Sequence, residues 1–372
     1  MQKSSVSTLQ VLLVLLGSTG LLNHVILIPI LLQVVGRDSW VSVLIATILA
    51  LLWLPILYLI VKRTAQHHLF DWLRQKYGRT LSGTLRYVVV LYLLVVSVVT
   101  LKDTLTWAKT AYLTQTPTIA LLILFVLLCY ANSHYGIQSI ATMGGILVPF
   151  VILFGFFVMT GNMHLKDYRQ LQPLLEHGWG NVAKGVLYGG VGFAEIIYLV
   201  FLQQHLRNPI RFRTLAIMLV MYTGLTLGPL VGAIAEFGPY EAAAQRYPAY
   251  EEWRLLYIGR YIEHLDFLSI YQWLTGAFLR VSLAMYLIPE VLSIPKSRAR
   301  SIVLIGAYVV VCGVVMWPVS DMKFLALLIQ VGIPASTMLL VTVSLIVGLL
   351  VLMRRKQKGG GRNGRTATPK RN

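Results

Sequence analysis

Residues 187–202, LYGGVGFAEIIYLVFL, read as a membrane span interrupted twice. Three glycines, Gly189, Gly190 and Gly192, crowd its first half, and the carboxylate of Glu195 follows within one turn. Glycine costs about 1 kcal/mol relative to alanine in a helix interior. An ionisable group inside a bilayer is expensive, and by default it signals function. Backbone weakness and a charge in one apolar run therefore point to a span that does more than cross the membrane.

The rest of the chain supplies the setting. Its 372 residues are 57% hydrophobic and only 12% charged, with a mean hydropathy of +0.71. A soluble domain needs more charge to cover its surface, and apolar runs of about 18 residues or more recur along the whole length. Ten spans can be drawn, at 8–35, 40–62, 84–112, 117–132, 138–161, 181–205, 212–236, 266–290, 301–319 and 322–353. The shortness of the fourth and the thin divide between the last two leave nine or eleven open. The runs are continuous and do not alternate, which argues against a membrane barrel. The chain is thus expected to be an all-α integral membrane protein of about ten transmembrane helices, with a polytopic domain over residues 1–353.

The net charge of +18 raises the question of nucleic acid, and its distribution answers it. With the N-terminus inside, 21 basic residues fall on the inner side and nine on the outer. That asymmetry is a topology signal, so both termini are expected to be cytoplasmic and no nucleic-acid partner is expected. Residues 354–372, RRKQKGGGRNGRTATPKRN, are basic, Gly-rich and without apolar residues. They read as a disordered cytoplasmic tail that attracts anionic membrane lipid.

Two further segments stand out. Residues 62–83 resemble an amphipathic helix with Leu69, Phe70, Trp72 and Leu73 turned to lipid. Residues 236–267 form a long outer loop, rich in Tyr, Trp and acidic residues and divided by Pro239 and Pro248. A loop this long with structure of its own reads as a lid or docking surface.

Catalytic patterns are missing. No HExxH, GxSxG or GxxxxGK[ST] occurs, and YGGVG follows no strand, so it is not a dinucleotide fingerprint. Cys129 and Cys312 both lie inside apolar runs, which suggests neither a disulfide framework nor a metal site. No enzyme, catalytic residue, metal or cofactor is expected.

The first span repeats the oddity of the sixth. Gly17, Ser18, Thr19 and Gly20 interrupt it midway, where glycine weakens the helix and Ser and Thr compete for backbone hydrogen bonds. Small residues also serve plain close packing of membrane helices. Two interruptions, each at the first span of a set of five, point instead to an inverted-repeat transporter fold with its site at the midplane. Repeat one would cover about 8–161 and repeat two about 181–319, with a further span at 322–353. Exposed backbone at Gly17–Gly20 and at Gly189, Gly190, Gly192 and Phe193 would then hold a small polar ligand. Tyr92, Ser282 and Tyr286 are polar groups on spans expected to wall such a site, and Asn23 and His24 follow one turn past the first break.

Buried charges complete the picture. Glu195 and Arg280 each lie roughly 21 Å from the expected outer start of their span, so an ion pair between them is expected. The alternative is a snorkelling arginine and a protonated glutamate. Lys102 and Asp103, near the outer end of the third span, read as interfacial residues or as gating charges.

The run FGPYEAAAQRYPAYEEWRLLYIGRYIEHLDFLSIYQWLTGAFLRVSLAMYLI, with LGSTGLLNHVILIP near the start, resembles the B subunits of bacterial spore germinant receptors. That family falls within the amino acid–polyamine–organocation transporter superfamily, and the resemblance covers essentially the whole chain. It implies a LeuT-like 5+5 inverted repeat with broken first and sixth helices and substrate at both breaks. Spans three and eight supply further walls, here Tyr92, Val96, Ser282 and Tyr286. It also implies a multi-pass protein of the spore inner membrane that recognises a small nutrient, such as an amino acid, together with a receptor A subunit and a lipoprotein C subunit. Some proton-coupled members of the superfamily carry a lysine in span five. Residues 138–161 have none, which favours a sensor over a pump. The competing readings are a proton-coupled amino-acid permease and an ion or water conduit along Lys102–Asp103 and Glu195–Arg280.

Overall fold

The computed structural model describes residues 6–258, 264–295 and 298–353; the expected tail at 354–372 lies outside them. Among the described residues the chain is helical, and its β-type contact is one isolated bridge between Val6 and Leu206.

Nine helical stretches among these residues are long and apolar enough to cross a membrane. The first runs from Thr8 to Thr64, 57 residues. Straight, it would measure about 85 Å, nearly three hydrocarbon cores of about 30 Å. It turns at Gly36, whose φ of 73° is left-handed, and at a 3-10 turn over Gly36–Asp38. Glycine takes that backbone without the steric cost other residues meet. The stretch is therefore two passes, and the bundle has ten.

The first pass is α1 (Thr8–Leu21), a π turn at Leu22–Ile26 and α2 (Leu27–Val35). The next four are α3 (Ser39–Thr64), α5 (Arg79–Ala111), α6 (Thr118–Tyr135) and α7 (Ile137–Gly161), with the short α4 (Leu69–Tyr77) between the second and third. The sixth is α8 (Gly178–Ala194), a 3-10 turn at Glu195–Ile197 and α9 (Tyr198–Leu202). The seventh is α10 (Phe212–Phe237), followed by the short α11 (Pro239–Ala244) and α12 (Pro248–Arg254). The last three are α13 (Phe267–Val291), α14 (Arg298–Val315), and α15 (Asp321–Leu327) continuing through a π turn into α16 (Ile333–Leu352).

Contacts between loops fix the two ends of the bundle. At one, here called proximal, Val6 bonds through its backbone to His205 and Arg207, Gln66 Nε2 donates to the Leu206 carbonyl, and the Tyr77 hydroxyl donates to the Leu350 carbonyl. At the distal end the Leu175 amide donates to Asp38 Oδ1 at 2.7 Å, and Arg246 reaches both Asp103 and Asp321. The first and last spans thus share the proximal end.

Packing repeats with a period of five spans. α1 packs on α7, as α8 packs on α16; α3 packs on α8, as α10 packs on α1. α6 lies against α13, as α14 lies against α5, while α5–α13 and α3–α10 are their own counterparts. These recurrences are those expected of an inverted repeat, whereas the close packing of α1 and α7 on α13 has no comparably close counterpart of α8 and α16 on α5. The sixth and eighth spans hold the centre: 78% and 83% of their most apolar windows are buried, against 22% in the fourth, fifth and ninth.

The short segments differ in part from expectation. α4 is amphipathic, but Leu69, Phe70 and Leu73 are buried and Phe70 packs on the Phe201 ring, with 5.7 Å between centroids. Its apolar face is docked on the bundle and not turned to lipid, because α9 offers it an aromatic surface. Pro239 and Pro248 start α11 and α12 at the first helical turn, where a missing N–H costs nothing.

Candidate functional site

Gly17–Gly20 lie inside regular helix α1, and Gly189, Gly190 and Gly192 lie inside α8. The change of helix type comes later in each span, at the π turn Leu22–Ile26 and at the 3-10 turn Glu195–Ile197. The glycines therefore do not unwind the backbone; they admit neighbours. A Cβ on Gly17 would stand 2.7 Å from Leu279 and 2.8 Å from Val148, so α1 approaches α13 and α7 closely there. A Cβ on Gly192 would collide with the Asn23 side chain, and one on Gly190 would stand 3.2 Å from Thr337. Gly189 leaves ordinary contact with Val43. The π turn of the first span thus meets the last turn of α8, just before the 3-10 turn, through Asn23 and Gly192.

Beside that contact lies the charged centre. Arg280 Nη2 donates to Glu195 Oε1 at 2.6 Å, and Nη1 donates to Oε2 at 2.7 Å. The Thr19 hydroxyl donates to Oε2 at 2.7 Å and the Tyr92 hydroxyl to Oε1 at 2.8 Å. Arg280 also donates to the Ser18 carbonyl at 3.3 Å. The expected ion pair is present, and it ties spans one, three, six and eight through one carboxylate. Glu195 and Arg280 are both buried, so the arginine does not snorkel. Buried charges persist when paired and hydrogen-bonded, and this fork-to-fork geometry provides both. Ser18 Oγ, the Asn23 amide and the Tyr198 hydroxyl lie nearby, buried and without a hydrogen-bond partner among the described residues.

The remaining sequence candidates scatter. Val96 and Phe193 are buried in the core. Ser282 Oγ donates to the Cys129 carbonyl at 3.5 Å, a contact with α6. The Tyr286 hydroxyl meets His205 Nε2 at 3.1 Å, and Arg300 lies 5.1 Å over the Tyr286 ring. With Glu290, bonded to His205 and Arg300 at 3.1 and 2.7 Å, they form a proximal polar cluster. Lys102 and Asp103 part company. Lys102 donates to the Val315 carbonyl at 3.5 Å, whereas the buried Asp103 pairs with Arg246 at 2.8 Å. Arg246 also pairs with Asp321 at 3.0 Å, so it clamps the distal loop to α5 and α15.

Open space lies on the distal side of the ion pair. A cavity of about 480 Å³ is walled by α1, the π turn, α7, α10, α12 and α13. Gly17, Gly20 and His24 line its inner wall, Val148, Val151 and Leu225 its sides, and Glu252 and Trp253 its distal end. Gly155, Phe156 and Met159 of α7 and Gly224 and Gly228 of α10 line it too, with Phe156 exposed on the face turned to lipid. Its volume suits a small molecule and its walls are mostly apolar, as ligand sites are.

The loop residues in this wall escaped sequence reading. Lys166 pairs with the buried Glu236 at 3.3 Å, and Asn162 donates to Glu236 Oε2 at 3.2 Å and to the Glu252 carbonyl at 2.7 Å. Burial, and then the Glu236 charge beside it, hold the Glu252 carboxyl well above the usual carboxylate range. Glu251 beside it is a surface residue bonded to Arg254 at 2.8 Å; the pair of glutamates gives no local sign of which one turns inward.

Comparison with known proteins agrees with this architecture. Residues 5–323 match the family described as spore germination protein. Spore germination protein XB of Bacillus anthracis is 45% identical over 356 residues, covering 95% of this chain and 99% of the relative. Spore germination protein GerQB of Bacillus cereus is 24% identical over 181 residues, 46% of this chain and 48% of the relative. The chain belongs to the spore germination protein family, and it is a multi-pass membrane protein.

Proposed function

We propose that this member of the spore germination protein family is the multispanning subunit of a germinant receptor in the spore inner membrane. In this reading it holds a small nutrient near the midplane, on the side of the cavity walled by Gly17, Gly20 and His24. It would pass the signal to a receptor A subunit and a lipoprotein C subunit.

One observation carries the reading: the cavity ends against the same helix that the ion pair holds. Thr19, on α1, bonds to Glu195 at 2.7 Å, and Gly17 and Gly20, on the same helix, line the cavity. A ligand filling the cavity presses on α1, and α1 cannot shift without disturbing Thr19, Ser18 and the Glu195–Arg280 fork. Binding is thereby coupled to the relative placement of spans one, three, six and eight. A ligand shifts such an equilibrium by its difference in affinity for the two arrangements.

The test joins two measurements. Spores of a deletion strain are screened against single nutrients, and the purified protein in proteoliposomes is offered labelled amino acids. Loss of response to a defined nutrient without concentrative uptake supports the sensor. Robust concentrative uptake by the protein alone overturns it in favour of the permease.

A further inference from the structure

The distal end of the cavity holds an unsatisfied acid. Glu252 lies on α12, is 4% exposed, and lines the cavity. Its Oε1 has no hydrogen-bond partner among the described residues. The carboxyl lies flat against α10 at Gly232, where a Cβ would stand 3.1 Å from Oε1. Glycine at that position is what allows the acid to sit there.

The neighbours explain why the acid stays unpaired. Glu236, one turn along α10 from Gly232, already takes Lys166 at 3.3 Å and Asn162 at 3.2 Å. Lys166 also donates to the Met159 carbonyl at 3.2 Å. The cation within this cluster is thus committed to another carboxylate. A buried acceptor left without a donor costs roughly 1–3 kcal/mol, more when charged. The deficit is one of positive, hydrogen-donating groups, and it faces a space with apolar sides.

Resting on the reading of this cavity as the nutrient site, we propose that Glu252 anchors a primary ammonium group, and that the cavity takes a small molecule with one ammonium head and a compact apolar body. An anion is disfavoured because Glu252 lines this end and Lys166, which lines it too, is already paired with Glu236. A polyhydroxylated molecule is disfavoured by the walls of Val148, Val151, Ile152 and Leu225. Burial disfavours a bare carboxylate at Glu252, and an ammonium group supplies the opposite charge and the hydrogen-bond donor that Oε1 lacks. The site lies apart from the Glu195–Arg280 fork, and it gives Gly232 and α12 a role in selectivity.

The probes are three molecules with a shared branched hydrocarbon body: isoamylamine, leucine and isocaproate. Trp253 and Trp273 line the cavity, so tryptophan fluorescence of the full chain in nanodiscs reads occupancy. Isoamylamine is expected to bind most tightly, leucine more weakly because its own carboxylate is brought toward Glu252, and isocaproate not at all. Glu252→Gln should weaken both at least about tenfold, the loss of about 1.4 kcal/mol. Val151→Trp, which fills the cavity without touching Glu252, should abolish both signals. Equal binding of isocaproate, unchanged binding in Glu252→Gln, or no binding by any probe overturns the proposal. Failure here with a nutrient-specific germination defect in the deletion strain removes the ligand class and leaves the receptor reading. Binding here with normal germination in that strain does the reverse.

Discussion

Glu195 and Arg280, 85 residues apart in sequence, meet in a two-bonded fork at 2.6 and 2.7 Å, and two hydroxyls from two other spans complete the carboxylate. The fork is a four-helix junction in which four hydrogen bonds converge on the same two oxygens. That asymmetry sets what substitution can and cannot do.

Removing either charge leaves the other buried and alone, which costs about 3–5 kcal/mol. Glu195→Gln and Arg280→Met should each lower the midpoint of thermal unfolding in detergent and abolish germination activity. Exchange of the two charges should not restore the wild type. Tyr92 and Thr19 donate to residue 195, and in Glu195→Arg/Arg280→Glu they would face a group that accepts nothing. The double variant is expected to recover part of the stability and little of the activity. Full recovery of both would show that the hydroxyls are bystanders.

The Gly192–Asn23 contact predicts a different signature. Gly192→Ala forces a methyl into the Asn23 amide, and overpacking of this kind costs about 1–3 kcal/mol. Asn23→Ala in the same chain should return most of that loss. Gly145→Ala, where nothing lies within reach of a Cβ, should be close to neutral. Unfolding curves of the four proteins decide it, and equal losses at Gly192 and Gly145 would mean that backbone freedom, not packing, is what glycine supplies.

These two sites also mark how far sequence reading reaches. Depth along a span is linear in residue number, so matching depths bring Glu195 and Arg280 together from the sequence alone. Helix type is not linear in that sense. GSTG and GGVG advertise weakness, but close neighbours such as Leu279 and Asn23 hold those residues in α-helix, and the irregular turns fall on LNHVI and EII. Arg246 and Glu252 were beyond reach because loop charges find partners through tertiary folding. Glu251 and Glu252 differ only in which way a seven-residue helix happens to dock.

Arg246 gives a third prediction. It joins the distal loop to the buried Asp103 and to Asp321, and it is partly exposed, so solvent screens some of the pairing. Arg246→Ala should leave the bundle folded yet free α11 and α12, raising amide exchange over residues 239–254 by about tenfold, the equivalent of about 1.4 kcal/mol of local opening. Exchange that rises equally throughout the bundle would show instead that the clamp supports the whole fold.

The last prediction concerns pH, and its sign differs at the two ends. At the proximal end, burial holds the His68 imidazole below its ordinary value, against the pull of Asp71 and Glu290 and with the help of Arg86. Asp71 is lowered in spite of its burial, by the Ser293 hydroxyl, His68 and Arg86. Both folded values are depressed, so both groups stabilise the docking of α4 at high pH. The histidine's share is lost as pH falls below about 6.5, and the aspartate's share in the acid range beyond. At the distal end, burial and the Glu236 charge raise the Glu252 carboxyl, opposed by Lys166. Its share is therefore present at low pH and is lost as pH rises above the ordinary carboxylate range toward its raised folded value. Lowering pH from about 7.5 to about 5.5 should speed amide exchange in residues 69–77 and slow it in residues 248–254, after correction for intrinsic exchange rates. Glu252→Gln should remove the second response and keep the first. A change of the same sign at both ends in the wild-type protein would contradict the placement of Glu252 as a buried acid with a raised pKa at the wall of the cavity.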